Sequence, residues 1–216
     1  MKTEPGLRER KKQQTSRRIS DAAIQLFAER GFDQVPVAEI ARHADVSEAT
    51  VFNYFPSKED LFYDGMEAFE SALLDAIRNR APGTSVLSAF RDFVVRPRGA
   101  LADDNPVAVE RIATSARIAA GSPALQARER QTFDRYTTAL AELVAAESDA
   151  PADAIEPWVV ANALMGVNRA MKNAVHRQAL AGHSGKRIAE DVLAYAHRAL
   201  DVLERGLGEY WAAPNP

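Results

Sequence analysis

The chain of 216 residues contains no cysteine, which excludes disulfides and cysteine-ligated metal sites. It also contains no apolar run that approaches the roughly 20 residues of a membrane-spanning helix. Its N-terminus is charged and lacks the apolar segment of a secretory signal. Its histidines show no paired metal-ligand spacing with carboxylates. We therefore expect a cytoplasmic protein that uses no metal or cofactor and has no membrane partner.

Patterns typical of β-strands are also scarce, because no stretch alternates with period two for long. Apolar residues recur instead at helical spacing. Hydrophobic residues make up 46% and charged residues 26% of the chain, as in a soluble globular protein. We predict an all-α fold of about nine helices, with an N-terminal three-helix helix-turn-helix domain and a C-terminal helical bundle.

Basic charge is concentrated at the start of the chain, although the net charge is −3. Residues 1–20 hold seven basic and two acidic side chains, a net charge of +5, whereas residues 21–60 hold three basic and eight acidic ones, a net charge of −5. We interpret residues 1–14 as a basic flexible arm that tracks DNA phosphates or enters the minor groove. The alternative is a disordered tail that only keeps the protein soluble.

Residues 37–56 have the spacing of a helix-turn-helix. Two short helices pack at a steep angle only where small or apolar residues face each other, and Ala41 is small enough for that contact. Val46 fills the turn, and Ser47 can cap the second helix through its hydroxyl. Val51 and Tyr54 point inward. A short helix with small and polar residues at its exposed end can enter a major groove. The remaining residues of the second helix face outward: Glu48, Ala49, Thr50, Phe52 and Asn53.

The segment 15–61 resembles the DNA-binding domain of the TetR family of one-component repressors. The resemblance is carried by residues 26–32 (LFAERGF), 40–41 (IA) and 46–61 (VSEATVFNYFPSKEDL). It implies that the exposed side of the second helix reads base edges and that its flanks and the start of the next helix hold phosphates. The DNA-binding residues expected from it are Ser47, Glu48, Ala49, Thr50, Phe52, Asn53, Tyr54 and Lys58.

Several positions depart from the family pattern. Phe52 stands where a tyrosine is common, Asp45 where a glycine usually turns the chain, and Pro36 where a threonine usually caps the first helix of the motif. Aspartate tolerates the left-handed region better than most residues do. These departures affect sequence preference more than DNA binding itself. The alternative is a helical hairpin that merely packs, with Thr50 and Asn53 as ordinary solvated residues.

The resemblance also implies two functional domains along the chain. Residues 15–60 would form the DNA-binding domain and residues 61–216 a ligand-binding and dimerisation domain, with the fourth helix at 57–80 as the connector. Small-molecule pockets are mostly apolar with a few fixed polar groups. The candidate effector contacts are Phe90, Phe93, Ile112, Arg117, Phe133, Tyr136, Trp158, Asn162, Met165, Asn168 and Arg169. The alternative is that the aromatic and methionine side chains among them are ordinary core residues.

The last two helices are expected to form a dimer interface. Residues 158–171 are rich in small side chains that allow close helix approach, and the final helix carries an apolar stripe. In the family, two such helices from each subunit form a four-helix interface whose symmetry suits a palindromic operator. The alternative is that both stripes face the subunit's own core. The expected interface residues are Ala161, Gly166, Val192, Ala196, Ala199 and Leu203.

These observations predict a transcriptional regulator rather than an enzyme. The chain has no thiol and no Gly-x-Ser-x-Gly motif, and residues 182–187 contain only part of a phosphate-binding loop. We expect a homodimeric, ligand-responsive repressor that binds a palindromic operator in double-stranded DNA and is released by a small lipophilic effector. The alternative is a helical ligand- or partner-binding protein that has lost specific operator recognition. Retained specific DNA binding would separate the two.

Overall fold

The computed structural model describes residues 6–63, 66–96, 104–148, 151 and 153–206. Over these residues it contains ten helices and no strand, which confirms the predicted all-α class. The count exceeds the expected one because the predicted fourth helix, residues 57–80, comprises two separate helices. The helices are α1 (Leu7–Arg30), α2 (Val37–His43), α3 (Glu48–Tyr54), α4 (Lys58–Phe62), α5 (Met66–Arg78), α6 (Val86–Val94), α7 (Pro106–Ala120), α8 (Pro123–Glu147), α9 (Glu156–Leu180) and α10 (Gly185–Arg205).

Helix α1 is longer than its sequence pattern indicates. It begins at Leu7, so the basic segment predicted as a flexible arm over residues 1–14 is helical from Leu7 onward. Ile19, Ala23 and Phe27 recur every four residues and are buried on one face. The helix ends at Gly31, whose φ of 83° is a conformation that side chains with a Cβ rarely adopt.

Contacts divide the chain into two compact units. The first contains residues 1–67 and 114–129, and therefore combines α1–α4 with the end of α7 and the start of α8. Helix α1 packs against α2 and α4, and α2 packs against α3. Ile118 and Leu125 join the apolar core of these helices, which is why the unit is not the continuous segment 15–60 that we expected. The fully buried large side chains of this core are Ile19, Phe27, Val35, Ile40, Leu61 and Leu125.

The second unit contains residues 68–113 and 130–216. Helix α10 packs against α9 and α6. Along α10, Ile188, Val192, Ala196 and Leu200 recur every four residues and are buried, so one continuous stripe of the helix faces the interior of the unit. The apolar periodicity that predicted α10 therefore reports the subunit's own core.

Two groups of ion pairs also stabilise the second unit. The guanidinium of Arg80 binds both carboxylate oxygens of Glu147, with Nη1 at 2.8 Å from Oε1. Arg91 binds Asp201 at 2.8 Å and Glu204 at 2.9 Å. The hydrogen bond from Arg80 lowers the pKa of Glu147 below its ordinary value, and Arg91 does the same for the pKa of Asp201. These pairs join segments far apart in sequence, but partly exposed pairs contribute little stability each.

Candidate nucleic-acid interface

The second helix of the helix-turn-helix, α3, begins at a side-chain cap. The Ser47 hydroxyl accepts a hydrogen bond from the backbone amide of Thr50 at 3.1 Å, and the two hydroxyl oxygens lie 2.8 Å apart. The cap satisfies one of the free amides at the start of the helix. The predicted start of α3 and its cap are thus both present in the structure.

Helix α3 has one buried side and one exposed side. Val51 is buried in the core of the first unit, and Tyr54 is half-buried against it. The opposite side carries four neighbouring side chains that are all exposed, because positions i, i+1, i+4 and i+5 of a helix share a face. These exposed residues are Glu48, Ala49, Phe52 and Asn53.

The turn before α3 is held by its backbone. Asp45 has a φ of 50°, in the left-handed region expected at this position. The amide of Val46 then donates to the carbonyl of Ala41 at 2.9 Å. On the outside of the turn, Nη2 of Arg18 in α1 lies 3.4 Å from the Asp45 carbonyl oxygen. The turn is therefore in contact with helix α1 as well as with α2.

Lys58 is the first residue of α4, and its ammonium is directed inward. Nζ donates a hydrogen bond to the carbonyl oxygen of Phe32 at 2.6 Å. It also lies 4.3 Å from the centre of the Phe32 ring and 5.6 Å from that of Phe27, within the range of cation–π attraction. Desolvation by burial lowers the pKa of Lys58. The ammonium thus has internal partners in this structure, whereas the predicted phosphate contact requires it at the surface.

Positive charge is scarce around α3. Between residues 19 and 63 the chain has only three lysine or arginine residues, Arg30, Arg42 and Lys58. Arg30 pairs with Glu39 at 2.7 Å, and Lys58 is directed inward. Arg42, in the last turn of α2, is exposed. Phosphate binding near α3 therefore needs charge from another part of the chain.

The end of α7 and the start of α8, residues 114–129, form a hairpin that packs on α1 and α4 within the first unit. The Ser122 hydroxyl donates to Asp33 at 3.0 Å, and Nη2 of Arg128 lies 2.6 Å from Oδ1 of Asp60. The Tyr63 hydroxyl donates to a backbone carbonyl of α8 at 2.9 Å. The sequence analysis missed these contacts because their partners are 62 to 89 positions apart and belong to no local motif.

A cavity of about 340 Å³ lies in the first unit between the end of α1 and the end of α7. Its walls combine the apolar side chains of Phe27, Phe32 and Ile118 with the charged side chains of Arg30 and Arg117. Arg117 was expected to contact the effector together with residues of the C-terminal bundle. It belongs instead to the first unit, whereas the other effector candidates belong to the second.

The effector candidates of the second unit divide into buried and exposed groups. One core cluster contains five of them: Phe90, Phe93, Phe133, Tyr136 and Met165. Ile112 packs instead in a separate cluster of the same unit. The structure therefore brings together four of the five aromatic effector candidates, while the fifth, Trp158, is exposed elsewhere on the unit.

The effector candidates on α9 other than Met165 lie outside that cluster. Trp158, Asn162 and Arg169 are exposed on α9, and Asn168 is half-buried. The amide of Asn162 donates to the Trp158 carbonyl at 2.8 Å, one turn earlier in the same helix. The guanidinium of Arg169 lies 4.6 Å from the centre of the Phe133 ring and so covers one side of the aromatic cluster.

The predicted dimer residues also divide by burial. Ala161, Val192 and Ala196 are at most 5% exposed within a single chain, so they have no surface to offer a second copy. Ala199 and Leu203 are half-buried and pack against the same core. Gly166 alone of the six is exposed. The apolar stripe of α10 therefore faces the interior of the second unit.

Within the described residues, no group of three or more histidine, aspartate or glutamate side chains is arranged to hold a metal ion. His183 is half-buried, and its Nδ1 lies 3.3 Å from the side-chain oxygen of Gln178. None of the helices in the described part of the chain has the length and hydropathy to span a membrane.

Two family models match the chain. Residues 19–63 match the model of bacterial regulatory proteins of the tetR family, and residues 84–208 match that of the MftR C-terminal domain. The chain is 30% identical over 165 residues to the putative mycofactocin biosynthesis transcriptional regulator MftR of Mycobacterium tuberculosis, covering 73% of this chain and 78% of the relative. It is 28% identical over 151 residues to the HTH-type transcriptional regulator TcmR of Streptomyces glaucescens, covering 69% and 67%.

Solved structures show the same fold. A putative TetR-family transcriptional regulator from Syntrophomonas wolfei superposes with a TM-score of 0.55 at 18% identity, covering 90% of this chain and 97% of that chain. The fatty acid degradation regulator FadR from Bacillus halodurans superposes with a TM-score of 0.54 at 20% identity, covering 95% and 99%.

An all-α fold with a capped, outward-facing second helix defines a DNA-binding protein of the helix-turn-helix class. Since the second model spans more than half of the chain and the Mycobacterium relative covers most of it, the chain belongs to the TetR family of transcriptional regulators. The family membership predicted from the resemblance of residues 15–61 is confirmed. Membership of this family makes the protein a DNA-binding transcriptional regulator and not an enzyme.

Proposed function

We propose that this regulator is a homodimeric repressor that binds a palindromic operator through α3 and leaves it when a small lipophilic effector binds. The observation that carries the DNA-binding part is the exposed face of α3, where Glu48, Ala49, Phe52 and Asn53 lie side by side. Ser47 fixes the start of this helix, and Val51 fixes its rotation by packing into the core.

Each exposed side chain of α3 suits a particular contact in a major groove. The Asn53 amide can make two hydrogen bonds to adenine, the Glu48 carboxylate can accept from the amino group of cytosine, and the Ala49 methyl can contact a thymine methyl. Phe52, which is 48% exposed, can pack on a sugar or a thymine methyl. Thr50 and Tyr54, on the flanks, suit the phosphate backbone.

Binding-site selection from a random duplex pool tests this assignment. We expect the purified protein to enrich one palindrome at physiological salt. Thr50→Ala combined with Asn53→Ala should weaken binding to that palindrome at least tenfold, because each good base contact contributes about 1–3 kcal/mol. The matched control is Thr138→Ala with Asn79→Ala, which removes the same two residue types from the second unit.

The two possible failures of this test have different meanings. Unchanged affinity in the α3 variant, with its helicity intact, would show that another surface reads the DNA. If the wild-type protein enriches no sequence and binds duplexes only in a general, salt-sensitive way, the protein has lost operator recognition and acts as a ligand- or partner-binding protein.

The exposed side of α9 supports dimerisation. Ile155 and Val159, one turn apart, are 71% and 61% exposed, an unusual concentration of apolar surface. Asn162 and Gly166 continue the same stripe. A Cβ at Gly166 would meet nothing within 4 Å, so packing within the subunit does not require glycine there. A glycine inside a helix costs about 0.5–1 kcal/mol, and close approach of a partner helix offsets that cost.

The dimer face is tested by placing a charge on it. We expect Val159→Asp to convert the protein to monomers in analytical ultracentrifugation and to weaken operator binding. The matched control is Val107→Asp on α7, since Val107 is 71% exposed in the same single chain and lies on a different helix. A dimer that survives Val159→Asp but not Val107→Asp would move the interface to α7.

The aromatic cluster of the second unit is the proposed effector site. Phe90 and Phe133 are buried next to Met165, so a ligand there would meet an apolar surface, which favours a lipophilic molecule. Arg169, over the ring of Phe133, can supply one polar contact. Probes are medium- and long-chain fatty acids, their coenzyme A thioesters and hydrophobic aromatic compounds, scored by release of the selected operator. An active probe should lose its effect in Phe133→Ala, while operator binding without the probe is retained.

A further inference from the structure

Helix α1 extends well beyond the core that it helps to form. Among the side chains of α1 that the structure describes, the first fully buried one is Ile19, twelve positions after the helix begins. The side chains of Arg10, Lys11 and Lys12 are exposed on this extension, and those of Arg17 and Arg18 lie nearer the core. Residues 10–14 are all exposed, and a helical extension with exposed basic side chains presents its charge in fixed directions.

One face of this extension starts at the helix-turn-helix. Lys11, Gln14 and Arg18 are spaced i, i+3 and i+7, so they lie on one side of α1. Arg18 reaches the carbonyl of Asp45, and Asp45 lies two residues before the Ser47 cap of α3. The face that carries Lys11 is therefore continuous with the turn that leads into the base-reading helix.

The length of this face suits contact beyond the bases read by α3. Lys11 and Arg18 are separated by seven residues, or about 10 Å at the helical rise of about 1.5 Å per residue. Phosphates on one strand of a duplex advance by about 3.4 Å along the axis. An extension that lies along the duplex would therefore reach phosphates up to about three nucleotides away from the point where Arg18 meets the turn.

Charge complementarity identifies the partner of this face. Residues 21–60 carry a net charge of −5, and among their basic side chains Arg30 is paired with Glu39 while Lys58 is directed inward. Residues 1–20 carry a net charge of +5. A DNA-binding surface with few cations of its own needs these charges to hold phosphates.

We propose that the basic face of α1 binds the phosphate backbone of the duplex that flanks each operator half-site. This face consists of Lys11 and Arg18 together with Arg10 and Arg17, which are exposed and lie one position before each of them on the helix. This inference rests on the proposed operator binding by α3. It assigns to the start of the chain a fixed helical surface for flanking DNA, in place of a flexible arm.

The test combines a charge change with a change in DNA length. The variant is Arg10→Gln with Lys11→Gln, which preserves helix propensity and removes two exposed charges at the end of α1 away from the core. The matched control is Lys186→Gln with Arg187→Gln, which removes the same two charges from the start of α10 in the second unit. Each protein is titrated at several salt concentrations with the selected palindrome alone and with the palindrome extended by six base pairs on each side.

We expect the α1 variant to bind the extended duplex more weakly than the wild type does. The slope of its affinity against salt should be shallower by about 0.9 for each phosphate that the variant no longer neutralises. On the palindrome alone, the variant and the wild type should bind equally. The Lys186 and Arg187 control should match the wild type on both duplexes. Arg10→Lys with Lys11→Arg should keep the wild-type affinity on both, because the charge is unchanged.

Two results would overturn the inference. Equal affinity of the α1 variant and the wild type on the extended duplex would show that this face does not touch DNA. An equal loss of affinity on both duplexes would show that Arg10 and Lys11 act within the half-site and not beyond it. Failure of the proposed function differs from both, because the wild-type protein would then select no palindrome, leaving no flank to bind.

Discussion

The reader, which comprises helices α1–α4, and the bundle of the second unit hold their shapes in different ways. In the reader, α2 and α3 have seven residues each and α4 has five. Helices this short form few internal hydrogen bonds, so single contacts such as the Ser47 cap and the Lys58–Phe32 bond fix them. In the bundle, α9 has 25 residues and α10 has 21, and each is held by a long row of buried residues.

This difference determines what a residue's identity reveals. In the reader, a single side chain such as Ser47 or Lys58 can fix a short helix, so replacing it removes an identifiable contact. In the bundle, many apolar residues share the task of filling the core, so their identities say little about which of them meets a ligand. The following predictions test that contrast, from the largest expected effect to the smallest.

Removal of a core leucine should be severe in both units. Leu61 of the reader and Leu200 of the bundle are each at most 1% exposed. Replacing either by alanine should lower the free energy of unfolding by about 2–5 kcal/mol, measured by denaturant titration. The control is Leu180→Ala, at a position 48% exposed, where the change should stay within about 0.5 kcal/mol. We expect operator binding to be lost in Leu61→Ala. A Leu61→Ala protein as stable as the Leu180→Ala control would show that the reader's core is not tightly packed.

Lys58→Met separates an internal role from a phosphate contact. Methionine keeps most of the stem but loses the bond to the Phe32 carbonyl and the cation–π contacts. We expect the free energy of unfolding to fall by about 1–3 kcal/mol, the range for hydrogen bonds to charged groups, with the salt dependence of operator binding unchanged. The control is Lys186→Met at an exposed position. If stability is unchanged and the slope of log operator affinity against log salt concentration is shallower by about one, Lys58 contacts a phosphate after all.

Two left-handed aspartates, one in each unit, should respond to glycine with opposite signs. Asp45 has a φ of 50° and Asp104 a φ of 46°. Asp104 also accepts a hydrogen bond from the Lys186 amide at 2.7 Å, at the start of α10. We expect Asp45→Gly to raise the free energy of unfolding by up to about 1 kcal/mol by relieving backbone strain. Asp104→Gly gains the same relief but loses the hydrogen bond from the Lys186 amide to a charged carboxylate, which is worth about 1.5–3 kcal/mol, so it should lower the free energy of unfolding by about 1 kcal/mol. Thermal unfolding of both variants measures the two changes in stability. Changes of the same sign would contradict the different roles assigned to Asp45 and Asp104.

The smallest expected effect is the loss of stability from the Arg80–Glu147 pair at low pH. Arg80 holds the pKa of Glu147 below its ordinary value of 4.5, so this pair stabilises the folded state above that pH and loses its effect as the pH falls through the lowered pKa. Glu147→Gln should therefore cost below about 1 kcal/mol at pH 7, as for a partly exposed pair, and its difference from the wild type should vanish in strong acid. Unfolding curves at neutral pH and in acid below the lowered pKa measure the difference, and a constant gap would show that titration of Glu147 is not involved.

The parts of the structure that could be predicted from sequence are the local ones. The Ser47 cap and the left-handed Asp45 each follow from a few adjacent residues. Lys58 was different, because its partner Phe32 lies 26 positions earlier and no local pattern indicates which way a lysine turns.

Periodicity was informative about helices but not about what covers them. The apolar stripe of α10 was correctly detected, yet Val192 and Ala196 on it face the subunit's own core. Residues 10–14 of α1 bury nothing, so no apolar period was available to show that they are helical. The effector site is also not defined by sequence alone. Phe90 and Phe133 are buried in the same cluster, but an apolar core and an apolar ligand pocket have the same residue composition.

The first turns of α1 are also a place where this regulator can change without damage. Residues 10–14 are all exposed, so substitutions there alter charge and leave the core intact. The residues that choose a base sequence lie on α3, in a different part of the chain. Selection can therefore adjust how tightly the protein binds separately from which sequence it prefers, and a duplicated copy of the gene can acquire a new affinity before it acquires a new operator.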